Sequence, residues 1–339
     1  MNDTEYLRIA AEEAFLTAEI FEEYKKLLSD GSHGDPGFAD LWGHFQKPGP
    51  VVRRLLDLDA ERIHDMDATG IARQLLLLTA PGVQIFDADL GIALARSSND
   101  QLAEAIRKHP DRFSGLAAIA PQHPQEAARE LERGVRQLGL KGAVVNSHTR
   151  GEYLDDEKFW DIFAAAESLD VPIYIHPTTP APSMIGPFLE RGLDGAIYGF
   201  AVETGLHVLR IVLAGVFDRF PKLRLVIGHL GEGLPYWLFR IDFMHRAMVA
   251  AGRYPNVKKL QRTPSQYLRE NVWITTSGMA WQPPILYAQS VLGADRVLYA
   301  MDYPYQFVPE EVAVTDGLPI SGSDKKMLYQ SNAERVFRL

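Results

Sequence analysis

Eight short apolar runs alternate with longer amphipathic stretches along the 339 residues, the pattern of a parallel sheet covered by helices. The runs predict strands near Leu7–Ala11, Arg73–Leu78, Phe113–Ile119, Gly142–Asn146, Pro172–His176, Arg224–Gly228, Val272–Thr276 and Val297–Met301. Between them, the periodicity of Leu90, Leu94, Ala95, Leu102 and Ile106 predicts a helix over Asp89–Lys108, ended by His109-Pro110. Further helices are predicted from Pro124 to Leu138 with Gly139 as the stop, over Glu157–Leu169 and over Leu206–Phe217. Eight such units predict an α/β fold of the (β/α)8 TIM-barrel type in a single domain spanning 1–339, the alternative being an open doubly wound sheet. Two segments break the repeat, Thr17–Pro50 after the first strand and Thr178–Glu203 after the fifth. Long excursions at strand ends usually cover binding sites, so both are expected to act as lids.

Composition narrows the function. With 46% hydrophobic residues the chain can bury a large core. A net charge of -9 and scattered Lys and Arg argue against a nucleic-acid surface, which needs clustered cations. The absence of cysteine excludes disulfides, thiolate nucleophiles and sulfur-based zinc sites. The acidic start Met-Asn-Asp-Thr-Glu lacks the features of a secretory signal, and runs such as Leu75–Leu78 are too short for a bilayer. A cytoplasmic protein without membrane partners is expected.

Four ionisable residues directly follow apolar runs: Glu12 after Leu7–Ala11, His176 after Ile173–Ile175, His229 after Leu225–Gly228, and Asp302 after Val297–Met301. In an α/β barrel the carboxyl ends of all strands converge on one mouth, so these distant residues would meet there. Two imidazoles and two carboxylates in one place suit a metal ion. A lone strand-end histidine is more often a core residue, bonded to a backbone carbonyl. Recurrence of the feature at His176 and His229 favours the site. Glu232, three residues after His229, would hold the second ring nitrogen, or else only favour the dipole of the helix that begins near Leu234. Asp302 lies among apolar and aromatic neighbours, where an unpaired carboxylate is costly and a metal, an Arg or a helix N-terminus must compensate it. Adjacent Glu12 and Glu13 point to opposite faces of a strand, and alternation alone leaves open which one faces the mouth.

Ile9-Ala10-Ala11-Glu12-Glu13-Ala14-Phe15, Ile175-His176-Pro177, Gly228-His229-Leu230-Gly231-Glu232 and Tyr299-Ala300-Met301-Asp302-Tyr303-Pro304, in this order and spacing, resemble the amidohydrolase superfamily. More closely they resemble its branch of metal-dependent, non-oxidative decarboxylases. Asp65-Met66-Asp67-Ala68-Thr69-Gly70-Ile71, Pro81-Gly82-Val83-Gln84 and Gly199-Phe200-Ala201-Val202-Glu203-Thr204-Gly205 extend the match over nearly the full chain. The resemblance implies that Glu12, His176 and Asp302 bind one divalent cation, with His229 beside it and Glu232 behind. Where many relatives carry a second His, this chain has Ala14, leaving an oxygen-rich ligand set that favours Mn2+ over Zn2+.

The implied activity is decarboxylation of a phenolic carboxylate, 5-carboxyvanillate first, then γ-resorcylate or 2,3-dihydroxybenzoate. Asp302 would be the proton donor, with His229 and Glu232 catalytic beside it. Metal-dependent hydrolysis of a lactone or amide is the nearest rival, and a catalytically silent binding protein a more distant one. Arg240 matches an anion-binding Arg of the branch, against the bland alternative of a solvated helix Arg. Phe200 and Tyr305 would line a ring pocket, although strand-end aromatics are often core. Lys47 and Arg53 are further cations on the first excursion. The resemblance also implies a homo-dimer or homo-tetramer, with that excursion reaching a neighbour.

Overall fold

The structure, a computed structural model, describes residues 6–45 and 49–339, so Lys47 lies outside the described residues. Nine strands run in chain order: β1 (Ile9–Phe15), β2 (Arg73–Leu78), β3 (Phe113–Gly115), β4 (Ala117–Ala118), β5 (Ala143–Asn146), β6 (Ile173–His176), β7 (Leu225–Ile227), β8 (Val272–Thr275) and β9 (Val297–Leu298). They form two ladders, β1-β2-β3 and β4-β5-β6-β7-β8-β9, in which every pairing is parallel. β3 and β4 are one stave interrupted at Leu116, whose N–H turns to Leu76 O at 2.9 Å while Ala117 N bonds Gly142 O at 2.8 Å. The ring closes where Ala11 N donates to Tyr299 O at 2.9 Å. The product is the expected eight-stave barrel, with its strands buried on both faces as a parallel sheet requires.

The first stave runs beyond its expected end at Ala11, through Glu12 and Glu13 to Phe15, while Leu7, expected inside, is 54% exposed. A strand of apolar residues was expected to stop at its first carboxylate. It continues because each glutamate finds donors inside the protein. Glu13 accepts from Met301 N and Tyr303 N, both at 2.9 Å, and a shift of register between Ala10 and Glu13 lets the two side chains diverge. Burial outweighs these donors and the nearby Arg62 and pushes Glu13 up to about 8, while burial holds the Arg62 guanidinium down to about 10.

The helix predicted over Leu206–Phe217 is two: Gly199–Leu213 and Val216–Arg219, parted near Gly215, whose φ is +82°. Its start was hidden by glycine, read as loop punctuation. Gly199 is required by close packing instead, since a Cβ there would sit 2.3 Å from Asp194 O. The predicted Glu157–Leu169 helix opens with a 3-10 turn before Trp160–Leu169, whereas Pro124–Leu138 forms as expected and ends at Gly139 with φ +73°. The long helix Ala88–Lys108 is capped by Asp87, which accepts from Leu90 N at 2.9 Å.

The first excursion folds into helices Ala18–Asp30 and Pro36–Gly43 and packs on its own barrel. Trp42 donates its indole N–H to Ala80 O at 3.0 Å, and Tyr24 its hydroxyl to Gly82 O at 2.6 Å. The second excursion is pinned by a buried polar network. Glu203 accepts from Ser147 Oγ (3.0 Å), Tyr153 OH (3.1 Å) and Ala181 N (3.1 Å). Nearby His207 receives Leu154 N at Nε2 (3.0 Å), which leaves its proton on Nδ1 facing Ser147 Oγ at 3.2 Å. No helix among the described residues is long and apolar enough to cross a membrane.

Burial pushes His207 down to about 3 and His176 down to about 4, so both are neutral when folded near neutrality. The unfolded chain takes up these protons below about pH 6.5, so their contribution to stability is complete above that pH and is lost as pH falls toward 4. For His207 the loss at pH 4 is on the order of 3 kcal/mol. Thermal unfolding measured from pH 7 to 4 should show a smaller fall in Tm for His207→Gln than for the wild type.

Candidate metal centre

Glu12 occupies the middle of β1 and is 1% exposed. Its Oε2 accepts from Tyr174 OH, on β6, and from Thr275 Oγ1, on β8, at 2.5 Å. Its Oε1 is buried without a hydrogen-bond partner among the described residues. Between those two strands, at the end of β7, stands Gly228, where a Cβ would lie 2.8 Å from both carboxylate oxygens. The carboxylate therefore packs on bare backbone.

His176 closes β6, and Pro177 stops the strand as expected. Its Nδ1 lies 2.9 Å from Pro177 O. A carbonyl only accepts, so the proton sits on Nδ1 and the lone pair on Nε2, which faces Glu12 Oε1 at 3.5 Å. Burial, which keeps this ring neutral, leaves that lone pair available.

His229 opens a short turn in left-handed backbone, with φ +49° at His229, +54° at Leu230 and +52° at Glu232. Glu232, placed by this turn, accepts from His229 Nδ1 at 2.7 Å. The opposite nitrogen, Nε2, is 3.9 Å from both Glu12 Oε1 and Asp302 Oδ2. Burial opposes a charge on this ring. The carboxylates of Glu232, Glu12 and Asp302 outweigh it and hold His229 well above the usual imidazole range.

Asp302 follows β9 in left-handed backbone (φ +75°), and its side chain is 20% exposed. The segment that carries it is held from behind by Glu13 through Met301 N and Tyr303 N, while Tyr303 OH reaches Asp65 Oδ2 at 2.9 Å. One ligand atom each from Glu12, His229 and Asp302 lies within 4.8 Å of the others, and His176 joins through Glu12 Oε1. The partnerless Oε1, the neutral Nε2 of His176 and the partly open Asp302 are the donor set of an oxygen-rich divalent site. The residues fit such an ion.

Over this cluster lies a cavity of about 140 Å³, close to the roughly 150 Å³ that accepts a benzene ring in a packed protein. Leu41 and Phe45 from the first excursion and Ala196 and Phe200 from the second wall it, so both excursions reach the site, as expected of lids. Tyr305 closes another side with its hydroxyl 2.6 Å from Thr79 Oγ1.

Arg240 is not brought here. It is exposed on the helix Leu234–Ala251, in a groove beside Trp237 that Glu232 also lines, and does not line the cavity over the cluster. Arg53 is engaged with Glu61 at 2.8 Å on the surface. Tyr174, Thr275 and Thr79 escaped the sequence reading, yet Tyr174 precedes His176 by two residues on one strand. Strand alternation places those two on the same face, a signal that was present.

The amidohydrolase family profile matches residues 39–339. The chain belongs to the amidohydrolase family. This amidohydrolase is 36% identical to gamma-resorcylate decarboxylase of Polaromonas sp. (strain JS666 / ATCC BAA-500) over 341 residues, 98% of each chain. Among solved structures it is similar to 5-carboxyvanillate decarboxylase from Novosphingobium aromaticivorans DSM 12444, crystallised with manganese and 4-hydroxy-3-methoxy-5-nitrobenzoic acid. The two are 51% identical with a TM-score of 0.97, covering 100% of this chain and 98% of that one. It is also similar to dihydroxybenzoic acid decarboxylase from Polaromonas sp. JS666, crystallised with manganese and 2-nitroresorcinol. There the identity is 35% and the TM-score 0.84, over 98% of this chain and 97% of that one.

Gly228→Ala places a methyl group against a carboxylate that Tyr174 and Thr275 prevent from swinging aside. Metal content after saturation with Mn2+ and desalting should fall at least about tenfold, with thermal stability little changed.

Proposed function

We propose that this amidohydrolase decarboxylates 5-carboxyvanillate to vanillate, with γ-resorcylate and 2,3-dihydroxybenzoate as weaker candidates. The chain is a metal-dependent aromatic-acid decarboxylase; its relatives of 35–51% identity are decarboxylases, two of them crystallised with manganese. One observation carries the reading, the open Oε1 of Glu12 directed at His176 and His229 beneath a cavity the size of an aromatic ring. The preference for 5-carboxyvanillate is supported by the 51% identity with the decarboxylase of that acid.

Glu12, His176 and Asp302 would hold the ion, Mn2+ ahead of Zn2+. A divalent cation supplies Lewis acidity that gathers the negative charge of a carboxylate and its neighbouring phenol oxygen. Breaking a ring-carboxylate bond outright would leave an aryl anion, so the ring carbon has to gain a proton first. In this reading Asp302 delivers that proton to the carboxyl-bearing carbon. The ring–carboxyl bond then breaks, its electron pair restores the aromatic ring, and CO2 leaves. His229, oriented by Glu232 and 3.9 Å from Asp302 Oδ2, stands where it can return a proton to Asp302. Phe200 and Tyr305 flank the ring, and Leu41 and Phe45 exclude water above it.

The reading takes 1–339 as one barrel domain, which the bond between Ala11 and Tyr299 supports. It also takes the enzyme to be cytoplasmic, compatible with a chain without cysteine. A homo-dimer or homo-tetramer is supported by the exposed aromatic face of the helix Leu234–Ala251, where Tyr236 is 74% and Phe239 84% exposed. The first excursion, expected to reach a neighbour, packs on its own barrel, leaving this helix as the better surface. A contact of Arg240 with a substrate anion finds no support within the single chain.

Parallel assays of CO2 release from the three acids should give the highest kcat/KM on 5-carboxyvanillate, and comparable values on all three would refute the narrow assignment. Asp302→Asn should lower kcat roughly 10²–10⁴-fold with the metal still bound, the range for loss of a positioned proton donor. Turnover near that of the wild type would remove Asp302 from that role.

A further inference from the structure

Glu12 is held asymmetrically, and the asymmetry comes from residues that touch no substrate. Tyr174 OH and Thr275 Oγ1 converge on a single oxygen, Oε2, from two strands that flank β7. Both are hydroxyls, both are wholly buried, and the two also lie 3.3 Å from each other. A carboxylate oxygen only accepts, so both hydroxyls spend their proton on Glu12 Oε2. Gly228 lies beneath the carboxylate and leaves no side chain that could tilt it. The result is a carboxylate with one oxygen engaged by two protein donors and the other without a hydrogen-bond partner among the described residues.

We propose that Tyr174 and Thr275 are positioning residues that enforce one-oxygen ligation by Glu12, and through it keep a coordination position open for a chelating aromatic acid. The proposal rests on the metal-centre reading above. A carboxylate left to itself can grip a divalent ion with both oxygens. Here that grip would use a position that a substrate offering two oxygens, a carboxylate and the adjacent phenol, requires. With Ala14 in place of a second imidazole, Glu12 is the only ligand from β1 that faces the cluster, so its orientation sets how many positions remain. Donors to the outer oxygen also fix the ligand before the ion arrives, which raises affinity by removing the entropy of a mobile side chain.

The test compares the wild type, Tyr174→Phe, Thr275→Val and Thr275→Ser. Each is freed of metal and titrated with Mn2+, free ion being followed by electron paramagnetic resonance. Thr275→Val and Tyr174→Phe should each bind Mn2+ roughly 10–100-fold more weakly. Thr275→Ser, which keeps the hydroxyl, should stay within about threefold of the wild type, and the thermal stability of the four metal-free proteins should be similar. In the two hydroxyl-free variants, loaded at saturating Mn2+, KM for the aromatic acid should rise more than kcat falls. Unchanged Mn2+ affinity in both hydroxyl-free variants overturns the proposal while leaving the metal centre standing. Failure of the wild type to bind Mn2+ overturns the metal centre and the proposal together. Should Tyr174→Phe not fold, the contrast between valine and serine at position 275 decides the matter alone.

Discussion

A carboxylate buried inside a barrel must be compensated or it will take up a proton, and how Glu12 is compensated organises everything around it. Two hydroxyl donors cover one of its oxygens, and among the described residues none hydrogen-bonds the other. The open oxygen faces two imidazoles of opposite character. His176 is kept neutral by burial and by a proton committed to Pro177 O. His229 is kept charged by Glu232 and its acidic neighbours. One ring is thereby suited to donate an electron pair, the other to donate a proton. A pair of histidines at the ends of β6 and β7 thus divides its labour through the acceptor each finds on its far side.

The barrel supplies precision and the excursions supply enclosure. Glu12, Tyr174, Thr275 and His176 all belong to strands, whose positions are over-determined by the ladder and by packing on both faces. The walls of the cavity come from Leu41, Phe45 and Phe200, residues carried on helices or turns outside the ring of strands. These outer residues can vary without moving the strand residues proposed to hold an ion, the usual arrangement at the carboxyl end of such barrels.

Much of this was legible from residues alone. Seven of the eight staves lie close to their expected places, because strands buried on both faces read as uninterrupted apolar runs. The four strand-end groups do meet, since strand direction dictates which end gathers them. The first stave was truncated because a carboxylate looks like an ending unless its partners are known. Those partners, Tyr174, Thr275, Met301 and Tyr303, come from 162 to 290 residues away. The start of the helix at Gly199 was lost because one residue type serves both loops and tight packing. Arg240 could be matched by its neighbours in sequence, but the direction in which a helix points a side chain depends on how that helix docks.

The left-handed turns at His229, Leu230, Glu232 and Asp302 have a bearing on the enzyme's durability. None of these residues is glycine, and each such conformation costs on the order of 1 kcal/mol, so the centre holds a few kcal/mol of backbone strain against the rest of the molecule. Globular proteins have a margin of only roughly 5–15 kcal/mol in total. Reactivity is thus sustained by the tightness of distant layers, and changes that soften the barrel far from the ion would register first as lost turnover, before any loss of folded protein could be seen.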